Sequence, residues 1–214
     1  MTQFLLIRHG QNDLVNQRRI AGWTPGVHLN QEGRAQASDL AERLNQLSIK
    51  AVYSSPLERC METAEIVARR HGIAVTPFDD VGEVRFGEWE GSALDDLIKK
   101  KSEWFAVQHF PSRFRFPQGE SFIEVQHRAV RALELIAGQH EKDMVAVVSH
   151  ADVIKLILAH YLGVHIDLFQ RIMISPASVS VVALTGKGSA RIMRVNDNGR
   201  LRPLEELSKD KSKE

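Results

Sequence analysis

Residues 4–10 read Phe4-Leu5-Leu6-Ile7-Arg8-His9-Gly10. Four apolar side chains in a row, ending on a β-branched residue and cut off by a charged pair and a glycine, predict a short buried strand. A second run of this kind, Met144-Val145-Ala146-Val147-Val148, stops at Ser149-His150. An unbroken apolar run without polar alternation is what a strand covered on both faces of a parallel sheet requires. Weaker strand signals fall at Ala51–Tyr53 and Ala74–Val75. A final hairpin is expected from Ser178–Leu184 and Ala190–Val195 around Gly186-Lys187-Gly188.

Helical patterns separate these runs. Asn30 suits an N-cap, with Ala37, Leu40, Ala41, Leu44 and Leu47 following at helical spacing. Ser55-Pro56-Leu57-Glu58 combines a Ser cap, a first-position Pro and a Glu closing a capping box. It predicts a helix to about His71, stopped by Gly72. Ser92 and Asp95 open another through about Gln108, and Ser121 and Glu124 a third with Phe122, Val125, Ala129, Leu133 and Ile136 on its inner face. Asp152–Leu162 is the last, ended by Gly163, while Phe78–Gly91 reads as a loop with three glycines. The alternation predicts an α/β fold, a three-layer α/β/α sandwich with a mainly parallel sheet. One domain is expected over 1–204, with a small lid segment at about 92–120 and a charged flexible tail at 205–214.

Composition narrows the function classes. The chain has 214 residues, 43% of them hydrophobic, enough for a core without disulfide staples. Cys60 is the only cysteine, so no internal disulfide can form. A formal charge of +1 removes the global electrostatic argument for nucleic acid. No apolar run approaches the ~20 residues that span a membrane. The start Met1-Thr2-Gln3 lacks the features of a secretory signal, so a cytoplasmic location is expected.

In α/β sheets ligands bind beyond the carboxyl ends of the strands, where His9 and His150 both stand. Arg8 adjoins the first, and Arg59 lies in the first turn of the helix opened at Ser55. Two arginine forks beside a helix N-terminus suit a phosphate dianion. Between two guanidinium groups His9 is expected to stay neutral, and a neutral imidazole is a competent nucleophile toward phosphorus. Arg8, Arg59 and His150 would then stabilise charge on the transferring group. A departing alkoxide needs a proton. Glu83, among Val84, Phe86 and Trp89, is the best candidate donor, with Glu88 and Glu90 as competitors. Other phosphate chemistries lack their signatures. Ile66 stands where a cysteine phosphatase loop starting at Cys60 needs Arg, no Asp-x-Asp occurs, and no paired cysteines hold zinc. The arginines supply the positive charge, so no metal and no other cofactor is expected.

Leu6-Ile7-Arg8-His9-Gly10 resembles the signature of the histidine phosphatase superfamily, which includes the phosphoglycerate mutases. Further blocks follow in the family's order: Leu29 to Ala37, Tyr53 to Ala64, Glu83 to Gly91, Gly119-Glu120-Ser121 and Val148-Ser149-His150. The resemblance spans about residues 4–182. It implies an α/β sandwich, His9 as the phosphorylated nucleophile, Arg8, Arg59 and His150 around the phosphate, and Glu83 as proton donor. Many relatives carry a phosphate-binding Asn six residues after the nucleophile. Val15 stands there, leaving Asn12 and Asn16 as alternatives. Ala21, Gly22 and Ala151 are further implied substrate contacts. Arg113 and Arg115, in Pro111-Ser112-Arg113-Phe114-Arg115-Phe116-Pro117, either meet a second acidic group on the substrate or sit on the surface between core phenylalanines.

The expected function is hydrolysis of a small phosphorylated metabolite through a phosphohistidine. A phosphomutase of the phosphoglycerate mutase type is the alternative, and a non-catalytic phospho-ligand or protein-binding module a third. The expected partner is the metabolite, with no nucleic acid and no membrane; a homodimer stays open as the assembly.

Overall fold

The computed structural model describes residues 1–100, 102–185 and 189–199. In chain order, β1 (Thr2–Arg8) is followed by a one-turn helix α1 (Asp13–Asn16), α2 (Gln31–Leu44), β2 (Ile49–Ser54), α3 (Glu58–His71) and β3 (Val75–Pro77). A loop with two short 3-10 turns leads to α4 (Leu94–Lys100), α5 (Glu103–His109) and α6 (Phe122–Gln139). Then come β4 (Met144–Ser149), α7 (Ala151–Leu162), β5 (Val179–Leu184) and β6 (Ala190–Asp197).

The described strands form one sheet in the order β3-β2-β4-β1-β5-β6. The first four neighbours are parallel, and the β5–β6 hairpin closes the sheet antiparallel to β1. Alternate side chains of β1 serve two cores. Leu5 and Ile7 face Leu40, Ala41 and Leu44 of α2 and Ala64 and Val67 of α3. Phe4 and Leu6 join Val125, Leu133 and Ile136 of α6 and Ile154 and Ile157 of α7. Both faces are covered, which is why the runs at 4–7 and 144–148 carry no polar alternation.

Helix ends follow local chemistry. Asn30 accepts from Gly33 N at the start of α2, and Ser121 and Glu124 form the full capping box of α6. Gly72 and Gly163 end α3 and α7 in the left-handed region at φ 65° and 66°. Two boundaries differ from the sequence reading. α3 starts at Glu58, capped at Leu57 without a side-chain bond; the Ser55 hydroxyl accepts from Leu57 N and is bonded to His150, and the Glu58 carboxylate accepts from Gly26 N. The single helix expected from Ser92 to Gln108 is split into α4 and α5. Its start is delayed because Ser92 and Ala93 pair with Ile20 and Arg19 as a short bridge. Trp89 at the centre of this region packs on Trp104, Phe114 and Phe116. The turn Gly186-Lys187-Gly188 and the tail at 205–214 lie outside the described residues. No helix among the described residues is long and apolar enough to cross a membrane.

Candidate active site

The register of β1 on β4 places Arg8 opposite Ser149, so His9 and His150 leave the sheet side by side. The His9 amide extends the ladder by donating to Ser149 O at 3.0 Å. The two imidazole rings are 5.3 Å apart between centroids, inclined at 62°. Behind them the backbone is packed without room. A Cβ on Gly33 would lie 2.0 Å from Gln11 O, and one on Gly10 2.5 Å from Gly33 O. The first turn of α2 therefore locks residues 10–11, and with them His9, in place.

His9 is buried, 3% exposed, with Nδ1 2.7 Å from the carbonyl oxygen of Gly10. A carbonyl only accepts, so Nδ1 carries the proton and Nε2 of the neutral ring presents its lone pair. Burial, then the charges of Arg59 and Arg8, hold the imidazole well below its ordinary pKa, outweighing the Gly10 carbonyl. Arg8 is anchored through Nη1 to Ile174 O at 2.6 Å.

Arg59 enters from the first turn of α3 and is 1% exposed. Its Nη2 donates to Gly22 O at 2.9 Å and to His150 Nδ1 at 3.2 Å. Nε and Nη1 are buried with no hydrogen-bond partner among the described residues. Buried cationic donors without an acceptor are costly, and an oxyanion is the group that satisfies them. Because Arg59 only donates, His150 Nδ1 accepts. Nε2 then carries the ring proton and donates to Ser55 Oγ at 2.8 Å, with Cys60 Sγ 3.4 Å away. Burial, then Arg59, His9, Arg128 and Arg8, keep His150 well below its usual pKa.

Glu83 lies in the loop before α4. Val84 N donates to its Oε1 at 3.0 Å, and Oε2 is 3.5 Å from His150 Nδ1. Desolvation, then the charge of Asp152, push its pKa up to about 7 against the pull of Arg59, the Val84 amide and Arg8. The group can therefore hold a proton at neutral pH and release it to an alkoxide.

The remaining sequence-derived candidates fall in different places. Asn12 is fully buried; its Oδ1 caps α1 through Val15 N at 3.0 Å, and its Nδ2 has no partner among the described residues. Asn16 is exposed and bonded to Gln11. Gly22 supplies the carbonyl that holds Arg59, beside Ala21, and Ala151 opens α7 directly after His150. Arg115 is exposed and paired with Glu124 and Gly119 O. Arg113 is exposed near Asp167, and Phe114 and Phe116 between and after the arginines are in the core. Glu88 is exposed, and Glu90 packs against Gly22.

Sequence reasoning missed the groups behind the first layer. Ser55 reads as a helix cap and, besides accepting from Leu57 N, holds His150. Arg128, which drew no assignment from the sequence, bonds the carbonyls of Asp80, Gly82 and Glu83 and the Glu120 carboxylate. The signal was present, because Arg128 falls on the apolar stripe of α6 at three residues from Val125 and four from Ala132.

Comparison with known proteins identifies the family and the fold. The family model for the histidine phosphatase superfamily, branch 1, matches residues 4–198. Phosphoserine phosphatase 1 of Hydrogenobacter thermophilus is 29% identical over 198 residues, 92% of each protein. The protein named probable phosphoglycerate mutase GpmB of Erwinia tasmaniensis is 31% identical over 183 residues, 85% of each. The solved structure of YhfR from Bacillus stearothermophilus superposes with a TM-score of 0.84 at 30% identity, covering 92% of this chain and 98% of that one. Mycobacterial relatives at 35% identity over 202 residues are longer; the chain spans 55% of their length, about half. The match over nearly the whole chain carries the conclusion that the chain belongs to branch 1 of the histidine phosphatase superfamily.

Proposed function

We propose that the chain hydrolyses small phosphomonoesters through a phosphohistidine at His9. The observation that carries this reading is the combination of a buried neutral His9, its Nε2 lone pair free, with the unpaired Nε and Nη1 of Arg59 in the same cluster. In the first half, Nε2 attacks phosphorus and the P–O ester bond breaks. Arg8 and Arg59 take the charge of the phosphoryl oxygens, and the proton of Glu83 passes to the leaving oxygen. In the second half, water attacks the phosphohistidine. Its proton goes to the Glu83 carboxylate, the P–N bond breaks, and inorganic phosphate and neutral His9 are restored. No step needs a metal, because the cations are on the chain.

A phosphomutase shares the first half and returns the phosphoryl group to a retained intermediate. The GpmB relative favours that reading by its name. Retaining a second acidic group needs further cations. The arginines best placed in sequence for this are committed elsewhere, Arg115 to Glu124 and Arg113 beside Asp167. The hydrolase relative of nearly equal length supports the first reading. Incubation with 3-phosphoglycerate plus bisphosphoglycerate, and separately with simple phosphomonoesters, tests it. Phosphate release from the monoesters is expected to outpace isomerisation; isomerisation much faster than release overturns the hydrolase.

A further inference from the structure

The loop that carries Glu83 has no secondary structure to hold it at that residue, yet a proton donor must stand within hydrogen-bond reach of the leaving oxygen. Two donors from distant parts of the chain converge on one backbone atom. Trp23 Nε1 donates to the carbonyl oxygen of Glu83 at 2.7 Å, and Arg128 Nη2 donates to the same oxygen at 2.8 Å. Arg128 also holds the carbonyls of Asp80 and Gly82 through Nη1, at 2.9 and 2.8 Å. Its other edge is fixed by Glu120, with Nε to Oε1 at 2.8 Å and Nη2 to Oε2 at 2.9 Å.

The consequence runs through a single peptide unit. The Glu83 carbonyl and the Val84 N–H belong to one planar trans peptide, so fixing the oxygen fixes the direction of the N–H. That N–H holds Oε1 of Glu83 and leaves Oε2 toward His150. The indole reaches its place because residue 82 is glycine: a Cβ there would lie 2.5 Å from Trp23 Cζ2. Arg85 covers the outer ring face, its Cζ 3.8 Å from the centroid. Gly22, next to Trp23, holds Arg59 through its carbonyl, so one short stretch ties the phosphate-binding arginine to the acid.

We propose that Arg128 and Trp23 are positioning residues for the proton donor, gripping the Glu83 carbonyl so that its carboxyl group meets the leaving oxygen of the ester. The assignment rests on the reading of Glu83 as that donor. In this assignment each acts through Glu83. Both act on one atom from separate elements, and so give two independent variants.

The test compares kcat/KM on p-nitrophenyl phosphate, whose leaving group departs as a stable anion, with kcat/KM on ethyl phosphate, whose alkoxide needs a proton. Arg128→Lys removes the planar fork. Trp23→Phe removes the one N–H and keeps an aromatic side chain, with a smaller ring than the indole that reaches Gly82. Each variant is expected to lose about tenfold more on ethyl phosphate than on p-nitrophenyl phosphate, since a misplaced acid forfeits part of a contribution of roughly 10²–10⁴-fold. Equal losses on both esters, or none on either, overturn the assignment and leave a structural clamp only. Glu83→Gln is the control. A selective loss there with unselective losses in the clamp variants sinks the clamp alone. An unselective Glu83→Gln sinks the reading of Glu83 and the clamp with it.

Discussion

Glu83 Oε2 stands 3.5 Å from His150 Nδ1, and the same nitrogen accepts from Arg59 Nη2 at 3.2 Å. The Glu83 carboxyl and the neutral His150 imidazole thus meet at the edge of the cationic pocket, beside His9. In the proposed reaction Glu83 carries its proton, and with its pKa pushed up to about 7 it does so below neutrality and loses it above. The same proposal needs a neutral His9, and its lowered pKa keeps it so down to well below its ordinary range. For an alkyl phosphate, kcat/KM is therefore expected to fall above about pH 7. On the acid side it is expected to stay high through the ordinary histidine range, once the ester's own ionisation near ~6 is divided out. Glu83→Gln is expected to abolish the alkaline limb and lower the rate by roughly 10²–10⁴-fold. Persistence of that limb in the variant assigns it to another group.

Asp152 stands two residues after His150 in the first turn of α7, paired with Lys155 at 3.2 Å. After burial, its charge is the largest influence holding the Glu83 proton on. Asp152→Asn removes that charge at nearly constant volume. The alkaline limb of the pH profile is expected to move to lower pH. A limb that stays put, or moves upward, contradicts the pairing.

A phosphohistidine intermediate leaves a chemical trace. After brief mixing with a labelled phosphomonoester and quenching in alkaline detergent, the wild-type chain is expected to retain label that dilute acid releases. His9→Ala is expected to retain none and to lose at least about 10³-fold in turnover, as removal of a nucleophile does. Label persisting in that variant transfers the role to another side chain.

Inorganic phosphate stands in for the phosphoryl group of the ester. At a hundredfold excess over Kd it is expected to stabilise the folded chain by about 2.7 kcal/mol, or roughly 5–10 °C in Tm for a chain of this size. Arg59→Lys keeps the charge and loses the fork, so the shift is expected to shrink clearly. Scanning calorimetry with and without phosphate reads both. An undiminished shift in the variant takes Arg59 out of the phosphate site.

Gly33 bears on the site without touching it, since a Cβ there would fall 2.0 Å from Gln11 O. Backbone against backbone cannot be relieved by a rotamer change. Gly33→Ala is expected to cost about 1–3 kcal/mol by overpacking, roughly 2–12 °C in Tm. It is also expected to lower kcat, because the loop that yields carries His9. A variant as stable and as active as the wild type shows that the loop adjusts freely.

How far the sequence carried the reading depended on the kind of interaction. The apolar runs at 4–7 and 144–148 and the glycine stops at 72 and 163 are local signals, and the structure follows them. His9 and His150 were legible because each ends such a run, and a parallel sheet brings strand ends to one rim. What stayed hidden were side chains whose partners are backbone atoms far along the chain. Arg128 serves carbonyls 45 to 48 residues away, and no spacing rule links them. Ser55 keeps a local bond, accepting from Leu57 N at 3.4 Å, and adds the long-range bond to His150 that no local signal announces. Lowering of the His9 pKa was expected from the arginine charges. Burial proves the larger cause, and burial is a property of the folded chain alone.

The pairing of Gln3 with Met144 and of Arg8 with Ser149 sets when the centre comes into being. β4 lies between β2 and β1, so His9 meets the imidazole of His150 only after some 140 residues of intervening chain have been threaded into place. Such distant pairing is slow to form. A nascent chain still missing its second half already holds Arg8, Arg59 and Glu83, yet lacks β4 and the His150 ring that draw them to one rim. The contact between His9 and His150 is thus a late one, and any activity that needs both rings doubles as a report that β4 has been inserted between β1 and β2.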